Sequence, residues 1–151
     1  MPEKVIVDAS FLIALEKIGL SDILCKLYTN VILPEAVISE FGTPSINCYS
    51  VMKVESSLVT LFVHNLNLGK GEAEVISLAK ETGLKVIMDD QKARKAAETL
   101  ALHVTGTIGI LLKAEKSGFI PSAYTKAKEL KDKGFYVSEE ILNQMSGPKI
   151  T

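Results

Sequence analysis

Hydrophobic residues along the chain fall into two alternating patterns. Short unbroken apolar runs recur in KVIVDAS (Val5 to Val7), VILPEAV and LKVIMDD, each ending at a polar residue or proline, and HVTGT ends another short strand. Between them lie stretches whose apolar positions are three or four residues apart. Runs of the first kind read as buried strands, and stretches of the second as helices with one face inward. FLIALEKIG puts Leu12, Leu15 and Ile18 on one face and stops at Gly19. SDILCKLY reads as a short helix capped by Ser21. VILPEAVISEFG reads as a brief strand feeding a helix with Pro34 in its first turn and an end near Gly42. Residues 43–57 carry the weakest pattern, and LVTLFVHNL reads as a strand.

GEAEVISLAKETG is a helix closed by Gly83, and DQKARKAAETLA begins a helix at a double aspartate. IGILLKAEKSG reads as a helix capped by Thr107 and stopped by Gly118. PSAYTKAKELKDKG is an exposed lysine-rich helix, and a last helix starts at Ser138. Apolar strands alternating with amphipathic helices predict βαβ units around a parallel sheet. The expected fold class is α/β, a three-layer α/β/α arrangement with a central parallel sheet. No repeat or linker interrupts residues 1–151, which read as one domain.

Composition changes this picture little. With 47% hydrophobic and 23% charged residues the chain is an ordinary soluble globular protein. No charged-then-apolar leader and no apolar run approaching about 18 residues is present, so the expectation is a cytoplasmic protein without a membrane role. Cys25 and Cys48 make neither a disulfide framework nor a metal spacing, and reduced thiols are the expectation. Net charge is −1. The basic residues are lysines except Arg94, which suits non-specific phosphate contact better than bidentate reading of bases.

The acids carry the chemistry. In an open parallel sheet, sites form at the carboxyl ends of strands. Asp8 ends the first strand, Asp89 and Asp90 follow LKVIM, Glu72 opens a helix after a Gly-Lys-Gly turn, and Glu40 shares part of the inward face of Ala36 and Val37. Two carboxylates about 4 Å apart repel by roughly 4 kcal/mol at an effective dielectric near 20. A cluster of them takes up protons or recruits a cation, and a hard divalent ion such as Mg²⁺ or Mn²⁺ matches oxygen ligands.

In order and spacing, VIVDAS, LPEAVISE, GEAEVISLA and VIMDD resemble the acidic motifs of the PIN-domain family, over roughly residues 4–118. Residues 119–151 then form a C-terminal helical extension. That family consists largely of metal-dependent ribonucleases, including the VapC-like toxins of toxin–antitoxin pairs. The resemblance implies a ribonuclease in which Asp8, Glu40, Glu72 and Asp90 hold Mg²⁺ or Mn²⁺ and no side chain serves as nucleophile. It also implies RNA as substrate, an antitoxin protein as partner and a homodimer. The Thr-Gly-Thr of HVTGTIGILL resembles a variant branch of the family. This keeps open a second reading, an inactive PIN-like module that binds RNA or a protein.

Several residues carry two readings. Asp89 is either a site residue beside the ion or the cap of the helix that follows. Adjacent residues cannot both point the same way, so Asp90 is assigned to the cluster and Asp89 to the cap or to holding a ligand in place. Ser10 caps the first helix or serves the site. Thr105 and Thr107 read as turn and cap residues before substrate contacts, and Lys70 makes a turn or reaches a phosphate. LGKGE lacks the spacing of a P-loop. Glu74, two residues from Glu72, faces elsewhere on its helix and reads as a surface charge. A phosphoacceptor receiver domain is set aside, since there the acidic pair follows the first strand.

Overall fold

The computed structural model describes residues 3–146. In chain order it runs β1 (Glu3–Val7), α1 (Ala9–Lys17), α2 (Ile23–Leu27), β2 (Tyr28–Pro34), α3 (Glu35–Phe41), β3 (Tyr49–Met52) and α4 (Ser57–Asn65). It continues with α5 (Lys70–Thr82), β4 (Lys85–Ile87), α6 (Gln91–Thr99), β5 (Val104–Thr105), α7 (Thr107–Lys116), α8 (Ala123–Asp132) and α9 (Glu139–Ser146). The five strands form one sheet in the order β3-β2-β1-β4-β5, every pair parallel.

Parallel strands are covered on both faces, which explains why Val5, Ile6, Val7, Val31, Ile32 and Leu33 form unbroken buried runs rather than alternating ones. The order steps outward from β1 in both directions. With right-handed connections, α1 and α2 therefore cover one face and α5 and α6 the other. The architecture is the expected three-layer α/β/α. Helix α5 lies against β1, β2 and β4, while α3 touches both α1 and α5. Lys126 of α8 and Lys133, which caps its end, donate to the carbonyls of Ile18 and Lys17, where α1 ends and its unpaired carbonyls favour cations.

Several expectations are corrected. LVTLFVHNL is not a strand but most of α4, which packs on α5. Its β-branched Val59, Thr60 and Val63 suggest a strand, but Leu58, Val59, Phe62 and Val63 turn inward at helical spacing. Ser56 then accepts the Leu58 N–H at 3.2 Å as the N-cap. The cap position of α2 belongs to Asp22 rather than Ser21. Helix α8 is not simply exposed, because Ala123, Ala127 and Leu130 are buried against the rest of the fold. Cys25 and Cys48 are joined in a disulfide, not reduced. Cys25 lies in α2, which packs on β2, and Cys48 immediately precedes β3, which pairs with β2; their Cα atoms are 5.7 Å apart, within bridging range, although they are 23 positions apart in sequence. That removes the thiol argument for a reducing compartment.

Candidate acidic active site

Strands β1 and β4 are neighbours, so the residues that end them emerge side by side. The Asp8 N–H continues the ladder, donating to the Ile87 carbonyl at 3.0 Å. Asp8 is only 3% exposed, and the Ser10 hydroxyl donates to its Oδ2 at 3.1 Å. Glu72 stands in the first turn of α5, where its Oε1 accepts the Gly69 N–H at 3.0 Å, half of a capping box. Asp90 is the N-cap of α6 and accepts the Ala93 N–H at 2.9 Å. Glu40, in the last turn of α3, lies beside α5: a Cβ on Gly71 would sit 3.8 Å from its Oε2.

Two of these carboxyls are shifted by their surroundings. Burial, with the negative charges of Glu72 and Glu40, pushes the Asp8 carboxyl up to about 6, although the Ala9 N–H and Ser10 hydroxyl oppose the shift. The Glu72 carboxyl is raised as well, first by burial and then by Asp90 and Glu40, with the Gly69 N–H opposing. Glu72 and Asp90 lie within hydrogen-bonding reach of one another. The relief at both centres comes from neutral donors. Such a set of oxygen donors with uncompensated charge fits a hard divalent cation. The cluster is nonetheless open, because among the described residues no three acidic, histidine or cysteine side chains are drawn tightly enough together to hold an ion as they stand.

A cleft of about 360 Å³ adjoins the cluster on the α3 side. Glu35, Ser39, Glu40, Lys70, Gly71 and Glu74 line it. Lys70 is the exposed first residue of α5 and stands at this opening.

Other predicted site residues are engaged elsewhere. Asp89 does not cap the helix that follows it; Asp90 does. The Asp89 carboxylate instead accepts the Thr107 N–H at 2.7 Å and also the Thr107 hydroxyl. Thr107 is therefore not the residue that caps α7, since it is the helix's first residue and Asp89 supplies the acceptor. Thr105 lies in β5, its carbonyl accepting the Met88 N–H at 3.0 Å and its methyl packed against Gly109.

Glu74 was expected at the surface and is 5% exposed. Its Oε1 accepts the Ala36 N–H at 3.1 Å, so α5 caps the start of α3. The signal for this was present in AEVISLA: a helix apolar nearly all round is buried, and an acid inside it must find a donor.

The structure is an all-parallel α/β/α sheet with acids from four elements gathered at its carboxyl edge. A family profile described as a PIN domain matches residues 4–147, and the chain belongs to the PIN-domain family. PIN domains are in general nucleases, and they typically use divalent metal ions. The match runs through α8 and α9, beyond the acidic motifs. No curated protein matches the chain significantly. Among the described residues no helix is long and apolar enough to cross a membrane.

Proposed function

We propose that this PIN domain is a ribonuclease that hydrolyses RNA phosphodiesters with Mg²⁺ or Mn²⁺. One observation carries the reading. Asp8, Glu40, Glu72 and Asp90 come from four separate elements at a single sheet edge, where Glu72 and Glu40 help raise the proton affinity of Asp8, and Asp90 and Glu40 that of Glu72. When bound, the cation supplies Lewis acidity toward the phosphodiester and makes water a better nucleophile.

The chain's residues do the rest. Ser10, Gly69 and Ala93 orient the carboxylates of Asp8, Glu72 and Asp90 through fixed donors. Burial of Asp8 strengthens its interaction with any cation that replaces a proton there. Lys70, at the opening of the cleft, offers a mobile positive charge to a phosphate flanking the scissile one. An RNA substrate would place the protein in the cytoplasm. Action as a toxin with an antitoxin partner, and a homodimer with two clefts, follow from the family resemblance alone.

The test is incubation with mixed RNA and Mn²⁺, comparing the native chain with Asp8→Asn. Cleavage by the first and not the second is expected, and equal behaviour of the two would sink the reading. The open spacing of the four acids favours a second reading, a PIN-like module that binds RNA or protein without cutting. Calorimetric titration with Mn²⁺ separates the two, since only the nuclease gives a binding isotherm.

A further inference from the structure

Two carboxylates stand next to each other after β4, and only one faces the cluster. Asp89 turns toward α7, where its two oxygens take the backbone N–H and the hydroxyl of Thr107. Thr107 is 5% exposed and opens a helix whose own N-cap residue, Gly106, has no side chain to offer. A carboxylate from another strand thus does the work of an N-cap side chain. Gly106 leaves room for the approach: a Cβ there would lie 2.8 Å from Asp89 Oδ1 and 2.7 Å from Arg94 Nη1, so those side-chain ends would have to shift. Arg94 reaches this point from α6, one turn beyond Asp90.

We infer that Asp89, Gly106 and Thr107 form a latch between β4 and α7 that positions Asp90 in the acidic cluster. Asp90 follows Asp89 directly, so fixing the one fixes the backbone that delivers the other. The approach is held twice, by the Met88 N–H on the Thr105 carbonyl at 3.0 Å and by Asp89 on Thr107. Beyond it, the Ala93 N–H holds Asp90 Oδ2 at 2.9 Å while the same carboxylate stays within reach of Glu72. A cap serving α7 alone needs only a short polar side chain at position 106. A glycine there, with the acceptor supplied from β4, ties α7 to the turn that bears Asp90. In its functional consequence the inference rests on the nuclease reading, with Asp89 and Thr107 as positioning residues.

The test compares Thr107→Val, which removes the hydroxyl, with Thr107→Ser, which restores it. Three measurements apply: hydrogen exchange at the Ala93 amide without metal, Mn²⁺ affinity by calorimetry, and kcat and KM on RNA. Loss of a partner that orients a metal ligand typically costs roughly 10- to 100-fold in affinity or activity. Thr107→Val is therefore expected to raise the Mn²⁺ Kd by that factor, to lower kcat more than it raises KM, and to speed exchange at Ala93. Thr107→Ser is expected to return all three toward the native values. Faster exchange confined to Ile110, in the first turn of α7, with Ala93 and Mn²⁺ affinity unchanged, would reduce the latch to a local cap and overturn the inference. If the native chain neither binds Mn²⁺ nor cuts RNA, the nuclease reading fails by itself, and the Ala93 amide still decides the latch. Should Thr107→Val not fold, Asp89→Asn gives the same comparison.

Discussion

Asp89 and Glu74 lie within two residues of Asp90 and Glu72, on the same segments of chain, yet the two pairs meet different surroundings. Asp89 and Glu74 each reach across to the start of a neighbouring helix, where backbone N–H groups lack partners. Asp90 and Glu72 each accept one backbone N–H within their own helix turn, but they also face one another together with Asp8 and Glu40. A carboxylate at another helix's N-terminus has its charge answered by fixed donors. One that faces other carboxylates keeps unanswered charge, available to a proton or a cation. Acid content therefore does not define the site; the partner of each acid does.

The largest break in this contrast is expected in catalysis. Asp8→Asn or Asp90→Asn should lower RNA cleavage roughly 1,000-fold, equivalent to about 4 kcal/mol of transition-state stabilisation. The melting temperature should not fall, because each change removes repulsion and keeps volume. Equal loss of activity and of stability would make these acids structural instead.

Next in size is the pH dependence of the metal-free protein. Asp8 titrates at about 6 in the folded chain against an ordinary 3.8, so the folded state binds the proton more tightly than the unfolded one. Its charged form therefore works against folding above pH 6, and stability should rise as pH falls from 6 toward 4. The contribution is about 3 kcal/mol across that window. Denaturant melts at several pH values, native against Asp8→Asn, should show the native chain gaining more on acidification. Parallel pH profiles would deny the burden placed on Asp8.

The satisfied acids should behave differently. Glu74→Ala leaves the part-buried Ala36 N–H without its acceptor and should cost about 1 to 2 kcal/mol, while Glu74→Gln keeps an oxygen and costs less than about 1 kcal/mol. Neither should change Mn²⁺ affinity, and a strong effect on it would move Glu74 into the cluster. Smallest of all, Lys70→Ala should shift stability by no more than about 0.5 kcal/mol. It should weaken RNA binding in a salt-dependent way, lowering the slope of log K against log salt by about one.

The sheet and the four clustered acids were legible in the sequence because strand-end position and helix periodicity are local properties. Val5 to Val7 and Val86 to Met88 announce buried strands, and Asp8 and Asp90 follow at their carboxyl ends. What stayed hidden depends on contacts between distant elements. No local signal in DD says that Asp89 turns to Thr107, 18 positions away. Cys25 and Cys48 meet because α2 packs on β2 while β3 lies beside it. LVTLFVHNL suits either state by propensity, and it becomes α4 because α5 offers an apolar surface at helical spacing. Glu74 is the exception, readable from the apolar residues around it.

The central claim is that Asp8, Glu40, Glu72 and Asp90 together hold a divalent cation. Calorimetric titration of the native chain with Mn²⁺ at pH 7.5, repeated with Asp8→Asn and with Glu74→Gln, tests it most directly. Saturable binding by the native chain and by Glu74→Gln, lost in Asp8→Asn, is the predicted result; no binding heat in any of the three, or identical isotherms in all three, would contradict it.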